Sequence, residues 1–156
     1  MKVRDAFGLI VAGIVGGTLA TLAQVLLWIA AGEDAWALLL RDSRLTAALM
    51  LGKPVLSPLG GLDVQVLLAA TAVHFSLSVI YAAVLRPAAK RLAPVWSLAV
   101  GAVFGALLYF FNLHGLTIVF PWFTVTRGGI TLAAHIIFGM AVMLTYLMLR
   151  VRPRYG

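Results

Sequence analysis

Apolar positions fill this chain in four long blocks, and polar positions interrupt them only singly. The blocks run Ala6–Ala31, Val64–Leu85, Pro94–Leu113 and Gly128–Leu149, and none contains Asp, Glu, Lys or Arg. An α-helix needs about 20 apolar residues to cross the hydrocarbon of a bilayer, and each block is close to or above that length. A backbone in lipid must satisfy its own hydrogen bonds, which selects helices over open strands. The pattern predicts an all-α, polytopic membrane protein, a four-transmembrane-helix bundle forming one membrane domain over residues 1–156. The first block is too long for the h-region of a signal peptide, about 7–15 residues, and is read as a span although Lys2 and Arg4 precede it.

The stretches between blocks carry their own pattern. Ala35–Leu40 and Leu45–Leu51 are short apolar runs split by Arg41-Asp42-Ser43-Arg44. Those central charges exclude a fifth span and predict one or two short helices lying in the interface, over about residues 34–51. Asp63, after Gly60-Gly61, suits the N-cap of the second span, and Pro94 suits the first turn of the third. The short Arg86–Ala93 connection predicts an antiparallel hairpin of the second and third spans. Trp28, Trp36, Trp96 and Trp122 fall where spans should meet the headgroups and are read as interfacial anchors. Phe120-Pro121-Trp122-Phe123 is either a lipid anchor or a lid over a pocket.

Composition sharpens the class. Apolar types are 63% of the 156 residues and charged types 11%, against roughly 25% charged in a soluble domain. That balance excludes a soluble enzyme and a disordered chain. The absence of cysteine excludes a disulfide scaffold and thiolate metal sites. The net charge of +7 acquires meaning from its placement. With four spans, Lys2, Arg4, Arg86, Lys90, Arg91, Arg150, Arg152 and Arg154 share one side with a single acid, Asp5. On the other side Arg41, Arg44, Lys53 and Arg127 balance Glu33, Asp34, Asp42 and Asp63. The positive-inside rule then places both termini in the cytoplasm. No basic segment forms a nucleic-acid motif.

Two short patterns recur. Gly13-Ile14-Val15-Gly16-Gly17 in the first span and Gly101-Ala102-Val103-Phe104-Gly105 in the third are small-xxx-small motifs, which let helix backbones approach closely. His74 with Ser78 in the second span parallels His135 with Gly139 in the fourth. Together these predict a parallel repeat, spans one and two corresponding to three and four. The remaining polar residues line one seam per helix. From their depth, Gln24, Thr71, His74, Tyr109, Asn112, His114, Arg127 and His135 are the candidate lining of a ligand pocket in the outer, periplasmic half. Each has a plainer role open to it. An intramembrane His or Gln often makes one interhelical hydrogen bond, His114 can cap its helix, and Tyr81 and Tyr146 are read as anchors at the inner interface.

His74-Phe75-Ser76-Leu77-Ser78-Val79-Ile80-Tyr81, Gly115-Leu116-Thr117, Phe120-Pro121-Trp122 and His135 together resemble a pattern in the uncharacterised bacterial four-helix inner-membrane proteins of the YagU-like kind. The similarity covers roughly the C-terminal half. The chain departs from it in the first outer loop and in lacking acidic residues near the last span. The resemblance implies a bacterial inner-membrane bundle and supplies no substrate.

The spans hold no carboxylate for ion coupling and no nucleophile–base constellation, so an enzyme is not expected, nor any metal site. The leading expectation is a non-enzymatic ligand-binding or accessory-subunit module, working as a homo-oligomer or within a larger membrane complex. One alternative is a redox protein binding haem b through His74 and His135; otherwise no cofactor is expected. A second alternative is an uncoupled channel or transporter component acting as an oligomer.

Overall fold

The computed structural model describes residues 3–57 and 63–151, with side chains described over 5–57 and 63–149. Among the described residues five α-helices follow in order: α1 (Val3–Ala30), α2 (Ala35–Leu51), α3 (Val64–Arg91), α4 (Pro94–Phe110) and α5 (Gly129–Val151). No strand occurs among the described residues. Helices α1, α3 and α5, and α4 with the turns that follow it, are long and apolar enough to cross a membrane. The chain is an all-α multi-pass membrane protein. Large apolar side chains such as Phe7, Leu26, Leu68, Val103 and Met148 are more than half exposed, pointing away from the bundle, as lipid-facing positions do. Lys2, Gly60, Gly61, Arg152 and Arg154 lie outside the described residues.

Local chemistry sets the ends. The Asp63 carboxylate accepts from the amides of Gln65 (2.9 Å) and Val66 (3.3 Å), capping α3 as its sequence position predicts. Pro94 opens α4. At the end where α3 hands over to α4, Arg86 reaches Asp5 of α1 at 2.7 Å, and Lys90 lies 3.8 Å from the same carboxylate. The start of α1 and the α3–α4 link therefore share one end of the bundle, the hairpin end. The opposite end carries the loops. α3 runs past the expected Leu85 to Arg91 with Pro87 inside it. Apolar character ended the sequence pattern there, whereas the backbone continues as helix beyond it.

One open expectation narrows and two change. Of the one or two short helices expected in the first loop, the chain forms one, α2. Asp34 caps it by accepting from the Ala37 amide at 2.9 Å, and it stops at Gly52, whose φ of +83° is open to glycine. The charged break at residues 41–44 sits mid-helix, because Arg41 bonds its neighbour Asp42 and leaves the backbone ladder intact. Ala47 of α2 packs into Val66, Ala69 and Ala70 of α3. The third span ends as α-helix at Phe110 and continues as a π-helical turn over Phe111–Gly115. Finally, α3 and α4 are consecutive yet barely touch. Packing runs in the order α2–α3–α1–α5–α4.

Glycine explains that order. A Cβ on Gly13 would stand 2.7 Å from the Val79 Cα, and one on Gly17 would stand 2.7 Å from Ser78 Oγ and 2.9 Å from His74 Nε2. In the other half, a Cβ on Gly101 would stand 2.5 Å from the Gly139 carbonyl oxygen, and one on Gly105 would overlap the His135 carbonyl. At Gly13, Gly101 and Gly105 the opposing atoms include backbone, so only glycine permits those contacts, whereas at Gly17 they are side-chain atoms of Ser78 and His74. The two halves thus make matching contacts: Gly17 meets His74 and Ser78 as Gly105 and Gly101 meet His135 and Gly139. A third contact joins the halves, where Gly16 lies under Val142 and Phe138.

Gly105→Leu should be among the most destabilising single changes in the bundle, costing upward of about 1–3 kcal/mol through forced overpacking. Thermal unfolding in detergent tests this. An unchanged midpoint would show that the α4–α5 backbones do not approach as described.

Candidate functional site

The candidate pocket residues divide among several neighbourhoods instead of lining one cavity. His74, half-buried on α3, faces α1, with Nε2 3.5 Å from Thr21 Oγ1. The Thr21 hydroxyl donates to the Gly17 carbonyl at 3.0 Å, so the contact closes when His74 Nε2 carries the proton. His135 adopts the other tautomer: Nδ1 lies 2.8 Å from the Thr131 carbonyl, an acceptor only, and must hold the proton. Its ring stands edge-on to Tyr109, 5.8 Å between centroids. Tyr109 also meets His114 at 5.7 Å, and His114 itself is exposed beside the π-helical turn. Thr71 is exposed and joins neither group.

Two other candidates find distant partners. Gln24 donates to Asp42 of α2 at 3.4 Å. Asn112 accepts from the Tyr81 hydroxyl at 2.8 Å, and the Tyr146 hydroxyl donates to the Ala82 carbonyl at 3.0 Å. Tyr81 and Tyr146 are therefore interhelical ties, not interfacial anchors. Trp28 is buried as well, and the Trp122 indole donates to the Leu45 carbonyl at 3.1 Å, fastening the 3-10 segment Pro121–Thr126 onto α2. Trp36 and Trp96 are exposed, in keeping with an anchoring role.

Haem ligation would need an open space between the two imidazoles. The backbone of α1 at Gly17 and the Thr21 side chain stand directly against His74 Nε2, and these residues do not fit a macrocycle.

An open cleft of about 290 Å³ does exist at the loop end, between the end of α1, the start of α2 and the start of α5. Arg127 is the one candidate that lines it. Arg127 Nε donates to the Leu113 carbonyl at 2.6 Å and Nη2 to Thr117 Oγ1 at 2.9 Å. These bonds pin the turns after α4 to the start of α5. The next amide, Gly128, donates to the Tyr109 hydroxyl at 3.1 Å. The first amides of a helix have no partner within it, and Gly129, Ile130 and Thr131, at the start of α5, line the cleft too. Glu33, Arg41 and Trp28 complete it. The sequence seam passed over Glu33 and Arg41 because both lie outside the apolar blocks. Glu33 lies in the turn between α1 and α2, and Arg41 lies within α2.

These features define a helical membrane protein with a charged cleft at one end of its bundle. No family model matches the chain, and neither does any curated protein or solved structure.

Asp42 carries the clearest titration at this end. Burial pushes its carboxyl above the usual carboxylate range, opposed by the Arg41 guanidinium and its hydrogen bond. The folded chain therefore binds the proton more tightly than the unfolded chain. Asp42 adds stability below its unfolded pKa, and that contribution is lost as pH rises through the folded value. Asp42→Asn, which keeps an amide to meet Gln24, should raise the melting temperature at neutral pH and flatten its fall between acidic and neutral pH. Parallel pH profiles for the two proteins would contradict this.

Proposed function

We propose that the chain is a small non-enzymatic module of the bacterial inner membrane, whose loop-end cleft binds a small polar ligand bearing an anionic group. The observation that carries this reading is the cleft wall itself. Arg127 is clamped by two hydrogen bonds beside the start of α5, and a helix N-terminus next to a guanidinium is a positively polarised surface suited to a carboxylate or phosphate. Glu33, which lines the same cleft, supplies a counter-charge for an amine, so amino acids and related zwitterions are the ligand class best matched.

The charge asymmetry supports cytoplasmic termini and a cleft facing the periplasm: eight cations lie on one side against one acid, and four on the other against four. The YagU-like resemblance agrees with that compartment. Four helices enclose little volume, and the close glycine faces are already used within the chain. Service as a homo-oligomer or as a subunit of a larger complex fits a module that presents its cleft rather than a pore.

A thermal-shift screen of amino acids and short carboxylates against purified protein tests this. At least one compound should raise the midpoint, and Arg127→Gln should abolish the shift while lowering the unliganded midpoint. The baseline loss reflects two charge-assisted hydrogen bonds, about 1.5–3 kcal/mol each. No shift from any compound, or an equal shift in Arg127→Gln, would remove the reading.

A further inference from the structure

At the hairpin end a second cleft, about 250 Å³, is lined by Ala83, Arg86, Pro87, Lys90 and Arg91. The charges around it do not balance. Asp5 takes the Arg86 guanidinium at 2.7 Å, but Lys90 stands 3.8 Å from the same carboxylate, beyond hydrogen-bonding distance. Arg91 makes no ion pair among the described residues. Among the described residues three cations thus stand around one acid. Pro87 adds a polar feature: without an N–H it cannot donate to the carbonyl of Ala83 four residues earlier. Ala83, whose carbonyl loses its helical donor in this way, lines the cleft together with Arg86, Lys90 and Arg91.

Helical geometry continues this site into the bilayer. Ile80, Val84, Pro87 and Arg91 follow one another at steps of four, three and four, along a single stripe of α3. Ile80 is 56% exposed and Val84 60%, so the stripe leads from bare apolar surface to cations at the helix end. Free phosphate would use only the charged part of this surface. A lipid would use both parts, with acyl chains along Ile80 and Val84 and a phosphate against Lys90 and Arg91.

We propose that this face of α3 binds an anionic glycerophospholipid. Its phosphate is held by Lys90 and Arg91 together with Arg86, and a headgroup hydroxyl donates to the Ala83 carbonyl. Phosphatidylglycerol has both the charge and the hydroxyls; phosphatidylcholine has neither the net charge nor a donor. The site depends on the chain lying in a bilayer and not on the loop-end cleft, so the two proposals fail separately.

The test is native mass spectrometry of the full chain released from nanodiscs holding equal phosphatidylglycerol and phosphatidylcholine. Wild type should retain phosphatidylglycerol in preference. The double variant Lys90→Gln, Arg91→Gln leaves the Arg86–Asp5 pair in place and should reduce that preference on the order of tenfold. Lys53→Gln, at the opposite end, should leave it unchanged. If the double variant does not fold, Lys90→Gln alone should lower the preference about fivefold. Equal retention of the two lipids by wild type, or equal loss in the Lys53 variant, would overturn the proposal. Displacement of the bound lipid by excess inorganic phosphate would do so as well, since it would make free phosphate the ligand.

Discussion

A helix in hydrocarbon gains nothing by hiding leucine from lipid, because the tails around it are as apolar as any partner. Helices adhere there only through dispersion at short range and through polar groups with no other partner. This bundle depends on the first of these at six glycines. Gly13, Gly101, Gly105 and Gly139 bring paired backbones within a distance that no Cβ tolerates, while Gly17 makes room for the Ser78 and His74 side chains and Gly16 for Val142 and Phe138 between the halves. Where backbones come that close, the polar side chains beside them are forced together. That is why His74 meets α1 at Thr21 and why Tyr109 stands over His135.

The two glycine–histidine contacts make the halves alike, but their surroundings do not match. α2 lies on the first half, against α3 and bonded to Gln24. The second half has a π-helical turn and two 3-10 turns in its place, held by Arg127. The loop end is consequently asymmetric, and the charged cleft opens where the two kinds of loop meet. Among the described residues the hairpin end has no such cover, and there the cations of α3 lie beside exposed apolar side chains. The related histidines even differ in the proton they carry, because one meets a hydroxyl and the other a carbonyl.

Much of the fold was legible in the sequence, because charge-free apolar length is a constraint that lipid enforces on each segment separately. The four spans, the Asp63 cap and the Pro94 start follow from local chemistry and stand in the structure. The neighbours of each helix are a different matter. A polar seam says which face of a helix turns inward and leaves open what it meets, so Asn112 was grouped with the pocket although it bonds Tyr81. Likewise the short α3–α4 link predicted a packed hairpin, whereas the glycine faces draw α3 to α1 and α4 to α5. Glu33 and Arg41 escaped notice because a site built partly from loop ends has no helical period to announce it.

Cysteine cross-linking within the membrane tests most directly whether glycine contact, and not chain order, decides which helices pair. The chain has no cysteine of its own, so any bond formed reports the introduced pair. A Cβ on Gly17 would stand 3.3 Å from the Ser78 Cβ, close to the spacing of a disulfide, about 3.5–4.5 Å. Gly17→Cys with Ser78→Cys should therefore oxidise readily within single chains, seen as a shift on a non-reducing gel. Ala106→Cys with Ser78→Cys, which places the second thiol on α4 without replacing a glycine, should not. The reverse outcome, α3 joined to α4 and not to α1, would contradict the account.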